Sequence, residues 1–194
     1  MSTRATYKIN GIYFYIHYDG YPDGAAVYFH NALLYQHKRG GLAAQFIRAN
    51  DLAEFTESHE VHGDTEFRYD LQGENLTVYS NHWTETDGDC WSCSFSGSVY
   101  AFINANQESG RVEEWYKVPD YYPYGKREVW TCNTDLLNQI KQAHTKLGNM
   151  IAHASKLDNP NIKNYRAELD HWVSLAKDRE LFRGPFYTGE VIAA

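Results

Sequence analysis

With 194 residues, 43% hydrophobic and 22% charged, the chain has the size and make-up of one folded domain, or of one domain with an appendage. No apolar run approaches the ~18 residues a membrane-spanning helix needs, and the lysines and arginines form no stripe, which argues against a membrane protein and against direct nucleic-acid binding. The net charge of −7 is uneven: residues 51–90 carry eleven acids against the single base Arg68, and the rest of the chain is left with +3.

In chain order, residues 3–9 and 12–18 read as two strands rich in Tyr, Ile, Phe and Thr. Asn10-Gly11 between them predicts a type I′ turn, which needs two residues at positive φ. Asp23 is placed to cap a helix over 24–36, and a second helix is expected over 41–55. The middle alternates like strands, at 66–71, 75–82, 92–103, 111–118 and 127–132, and short polar turns suggest an antiparallel meander. The period then changes. Leu136, Ile140, Ala143, Leu147, Met150 and Ala154 form a heptad seam. Asn159-Pro160 opens a last helix that runs to about 179, with Ile162, Leu169, Trp172, Val173 and Ala176 inward.

This order predicts an α+β fold: an N-terminal β-hairpin and two helices, an antiparallel sheet, and a C-terminal antiparallel helical hairpin. The expected organisation is an α+β domain over 1–132, a helical hairpin over 133–180 packed on it or on a partner, and a tail over 181–194. A homo-oligomer held by the C-terminal helices is one outcome of that seam. The polar N-terminus lacks a secretory core, and three cysteines cannot all pair with one another, so a cytoplasmic setting is expected.

A two-residue turn at Asn10-Gly11 fixes the hairpin register. Ile9 then faces Ile12, Tyr7 faces Phe14 and Ala5 faces Ile16, all on an apolar side that should pack on the helices. The opposite side pairs Lys8 with Tyr13, Thr6 with Tyr15, Arg4 with His17, and Ser2 with Asp19. Ser2, Arg4, His17 and Asp19 therefore gather at the open end of the hairpin. An Arg4–Asp19 lock is one reading of that cluster. A pocket for an anion or polar ligand on Arg4 and His17 is a second. Catalysis is a third: removal of Met1 would free the Ser2 amine to act as base for its own hydroxyl, with Arg4 anchoring an anion and His17 and Asp19 as an orienting pair. The element order is similar to that of the N-terminal-nucleophile hydrolases, an analogy of topology.

Other groupings carry less chemistry. Cys90 and Cys93 have C-x-x-C spacing, and a zinc site would also need ligands such as His82 and Cys132; one C-x-x-C does not make one, and no metal is predicted. His59, His62 and Asp64 sit close together in an acidic loop that reads as exposed. Trp115, Tyr121, Tyr122 and Tyr124 fall around two prolines, where stiff aromatics make good interface anchors. No phosphate-cradling or nucleophile-elbow pattern occurs, and no cofactor is expected.

The opening residues, Met1-Ser2-Thr3-Arg4-Ala5-Thr6 and then His17-Tyr18-Asp19-Gly20-Tyr21-Pro22, resemble a family of small, largely uncharacterised proteins from phages, plasmids and bacterial genomes. Many relatives carry Trp where Tyr18 stands, so the aromatic is kept. The match covers about the first 30 residues. It implies a mobile-element setting, in which small acidic proteins often block host defence complexes, as anti-CRISPR proteins do. The leading expectation is thus an accessory protein that inhibits or modulates a host nucleic-acid-handling protein with a basic surface. Glu57, Glu60 and Asp64 would meet that surface, with Trp115, Tyr121, Tyr122 and Tyr124 as anchors.

Overall fold

The computed structural model describes residues 3–34, 40–86, 88–107, 111–121, 127–153 and 159–181. The fold is α+β, and the chain divides into two compact units, Met1–Trp115 and Tyr116–Ala194. The division falls before the expected boundary at 132/133, because the strand pair over 116–131 belongs with the C-terminal helices.

The first unit begins with β1 (Ala5–Ile9) and β2 (Ile12–Ile16), joined by Asn10 and Gly11 at φ 49° and 87°. The register is the one the turn dictates: Ala5↔Ile16, Thr6↔Tyr15, Tyr7↔Phe14, Lys8↔Tyr13 and Ile9↔Ile12. Beyond β2 the chain bends back. Gly20 lies where a Cβ would fall 2.8 Å from the Arg4 carbonyl carbon, so glycine alone lets this loop press on the start of β1. Its N–H meets Thr3 O at 2.9 Å. Helix α1 (Pro22–Leu34) follows, with Pro22 at its first position, where the missing N–H costs no helical bond.

Helix α2 (Gly41–Ala49) is shorter than expected. The Asn50 side-chain amide donates to Phe46 O (2.8 Å), a carbonyl of the last turn of α2, which ends the helix, and to Tyr28 O of α1 (3.1 Å). Residues 53–56, predicted helical, instead form β3 (Ala53–Thr56) along β2. A single 3-10 turn, His59–Val61, leads to β4 (Phe67–Gln72), β5 (Asn75–Thr84) and β6 (Gly88–Ser98). Residues 99–103, predicted as strand, are helical: the Ser98 hydroxyl accepts from Ala101 N–H at 3.1 Å and caps α3 (Val99–Ala105).

The six strands run in the order β3-β2-β1-β4-β5-β6. Neighbours are antiparallel except β1 and β4, which are parallel, so the sheet is mixed and not a pure antiparallel meander. The cause is the passage through α1 and α2, which returns the chain beside β1 in the same direction. The helices cover one face. There Tyr7 stacks on Tyr69 (4.8 Å) and meets Phe29 and Phe46, and Phe102 of α3 closes on Tyr69 and Phe95. Residues 111–115, predicted as strand, are not. The Asn104 side chain donates to Trp115 O and accepts from Trp115 N–H, both at 2.8 Å, and so takes the place of a pairing strand.

In the second unit β7 (Tyr116–Asp120) and β8 (Arg127–Thr131) pair antiparallel. Helices α4 (Asn133–His153) and α5 (Pro160–Asp178) pack as a hairpin. The seam residues Leu136, Ile140, Ala143 and Leu147 are buried against Ile162, Leu169, Trp172 and Ala176, with Met150 and Val173 beside them. Ala154 lies outside the described residues. Asn159 caps α5 through its side-chain oxygen, which accepts from Asn161 N–H at 2.9 Å. The heptad seam is thus filled by the chain's own α5. No helix among the described residues is long and apolar enough to cross a membrane.

Candidate functional site

The sheet face turned away from the helices is polar, because alternate residues of β1, β2 and β4 are polar: Thr6 and Lys8, Tyr13 and Tyr15, Arg68 and Asp70. At its centre Thr6 Oγ1 lies 2.7 Å from His59 Nδ1, and His59 Nε2 lies 2.6 Å from Asp70 Oδ1. A carboxylate only accepts, so Nε2 donates to Asp70, and the Thr6 hydroxyl meets the ring's other nitrogen. This is the order of a hydroxyl–imidazole–carboxylate relay. Thr6, however, has no exposed surface, so no substrate reaches its oxygen. The relay acts as a tether that pins the 3-10 turn to the two central strands.

Further pairs hold the rest of segment 57–66 down. Ser58 Oγ accepts from Glu60 N–H, and Arg68 reaches Glu60 at 3.4 Å while its guanidinium stacks 3.9 Å over Trp91. Hydrogen bonds from Ser58 and its own backbone, then the Arg68 charge, hold the Glu60 carboxyl below the usual range. His62 lies flat on Tyr15 at 3.7 Å. Arg4 pairs with Asp64 at 2.6 Å. Burial first, then the Asp64 charge, pushes the Tyr15 phenol up, with Arg4 opposing. Lys8 is raised by its hydrogen bond to Tyr13.

The hairpin site assembles in part. The β1–β2 ladder ends at Ala5↔Ile16, one step short of the expected Arg4–His17 pair, and His17 Nδ1 lies 3.2 Å from the Tyr15 hydroxyl. The Arg4–Asp19 lock does not form. Asp19 sits at the bend with φ 53°, and its carboxylate meets Arg111 at 3.7 Å. Ser2 lies outside the described residues. Of the expected acidic contacts, Glu57, Glu60 and Asp64 are exposed, but Glu60 and Asp64 have cations of their own.

The aromatic anchors are corrected most. Trp115 is 1% exposed, packed on Tyr100 and His30, because Asn104 holds its backbone inward. Tyr121 is half-buried against His171. Tyr122 and Tyr124 lie outside the described residues. The cysteines do not converge either. In β6, Cys90 pairs with His82 and Cys93 with Tyr79, three residues apart along a strand and hence on opposite faces. Cys132 is buried in the second unit. His59, His62 and Asp64 also part, each to its own partner. Among the described residues no group of three His, Cys, Asp or Glu side chains is placed to hold a metal ion.

Sequence reasoning missed the outer edge. Strand β3 is the last in the sheet, and Phe55 on it is 68% exposed. Leu52 in the preceding turn and Ile12 on β2 are exposed as well. Asp51, Glu54 and Glu57 are exposed around them. The signal lies in "DLAEFTE", where Leu52 and Phe55 are interspersed with Asp51, Glu54 and Glu57, but the helix expected over 41–55 covers most of it. Comparison with family models, curated proteins and solved structures finds no match to this chain.

Proposed function

We propose that this chain is a non-enzymatic binding protein whose acidic surface engages a basic region of another protein. One observation carries the reading: Asp51, Glu54 and Glu57 are exposed about the exposed Leu52 and Phe55. Apolar area of that kind supplies affinity, and the surrounding charge supplies steering and partner choice. The tethered turn His59–Val61 supports it, since it holds the acidic segment in one conformation before a partner arrives. In the mobile-element setting that the opening residues imply, the fitting partner is a host protein that handles nucleic acid in the cytoplasm. Its basic groove would be occluded.

The test is capture of partners from host lysate at low and high salt. Charge reversal at Glu54 and Glu57 together is expected to abolish the salt-sensitive capture. Unchanged capture would overturn the reading. A second reading, a ligand pocket or hydrolase centred on Ser2, Arg4, His17 and Asp19, is favoured by Arg4, Tyr15, His17, His62 and Asp64 lying at one end of the polar face. Intact-mass measurement tests its catalytic form: a retained Met1 or a blocked amine excludes a Ser2 nucleophile.

A further inference from the structure

We propose that β3 receives an extended segment of a basic partner, which joins the sheet as a seventh strand. The inference rests on the binding reading above and names how the partner engages. Backbone geometry comes first. In a hairpin closed by a two-residue turn, the residues flanking the turn exchange both hydrogen bonds, so Ile12, Phe14 and Ile16 bond to β1. Tyr13 and Tyr15 must then bond outward, to Thr56 and Glu54 of β3. Phe55 is left with its N–H and C=O directed away from the sheet. Ala53 agrees with this alternation: its N–H goes to Asn50 O at 3.0 Å and not to β2.

The side chains say which strand fits. A residue docked opposite Phe55 falls on the helix face, beside the exposed Phe55 and Ile12, and is apolar. Its neighbours fall on the other face, beside Glu54 and Thr56, and the one near Glu54 is Lys or Arg. The preferred segment therefore alternates basic and apolar residues. A second copy of this chain is disfavoured, because Asp51, Glu54 and Glu57 would meet their own kind. The edge thus repels itself and admits a cationic strand, the β-augmentation mode of recognition.

The probe is an alternating lysine–valine hexapeptide, compared with a block peptide of three lysines then three valines, and with an alternating peptide N-methylated on one central backbone nitrogen. Fluorescence anisotropy reads affinity, and amide exchange reads Phe55. The alternating peptide is expected to bind about tenfold or more tighter than either control and to slow exchange of the Phe55 amide. Phe55→Pro removes that outward N–H without touching a bond to β2, and is expected to erase the advantage. Glu54→Lys, which leaves the backbone whole, should do so too, and guards against a folding defect in the first variant. Equal, salt-sensitive binding of alternating and block peptides would overturn strand addition and leave the acidic-surface reading standing. No binding of either peptide at low salt would overturn both. Self-association abolished by Phe55→Pro would replace the basic partner with a second copy and overturn the proposal.

Discussion

On the helix side of the six-stranded sheet, Tyr7, Phe14 and Tyr69 meet Phe29, Phe46 and Phe102 ring against ring. On the other side, Arg4, Thr6, Asp70 and Arg68 meet Asp64, His59 and Glu60 in discrete pairs. The first face is non-directional, and stability there follows buried area and volume. The second is directional, and each pair fixes one segment of chain in one place. The first face therefore makes the fold, and the second decides what the fold displays.

The largest expected effect tests the first half of that contrast. Phe46→Ala should cost about 3–5 kcal/mol, read by denaturant unfolding, because its ring is wholly buried among Tyr7, Phe14 and Phe29. On the polar face, His59→Ala should cost about 1–3 kcal/mol, since Thr6 and Asp70 both lose their partner. Faster amide exchange confined to 57–64 would mark it as the loss of a tether; exchange spread evenly over the sheet would contradict that role.

The third effect depends on pH. Burial holds the His30 imidazole below its ordinary range, against the pull of Glu113, whose backbone N–H it accepts at 3.4 Å. The unfolded chain takes up the proton first, near pH ~6.5, so His30 favours folding above that pH and its contribution fades as pH falls. Unfolding midpoints measured on either side of that pH should diverge for the native chain and converge in His30→Gln. The smallest effect sharpens the contrast from within the ring cluster. The Tyr7 hydroxyl is buried without a hydrogen-bond partner among the described residues, and burial raises its pKa far above the usual phenol range. Tyr7→Phe should be neutral or stabilising by up to about 1 kcal/mol. A marked loss would mean that the hydroxyl does structural work.

What could be read from sequence followed the range of the forces. The Asn10-Gly11 turn, the hairpin register and the Leu136–Leu147 seam are local and were legible. The partner of Arg4 was not. Local reasoning chose Asp19, fifteen residues on, while Asp64 arrives through the fold. Helical periodicity in 41–55 and strand-like composition in 92–103 each ran past a side chain that stopped the element, Asn50 in one case and Ser98 in the other. The candidate site was half visible. Thr6 was legible on the polar side of the hairpin through its pairing with Tyr15, but nothing local brought Asp70 beside that side or named His59 as the group between them.

The parallel β1–β4 ladder also divides the sheet in time. Hairpins such as β1–β2 and β4–β5 close in about 1–10 μs, whereas joining Tyr7 to Tyr69 must first close the long loop through two helices. These rates predict that the two halves meet last, along a single seam of parallel backbone. A chain cut at Gly63 would open only the turn at Gly63–Asp64 and leave the hairpins of each half whole, and the two fragments are expected to find one another again across that same line.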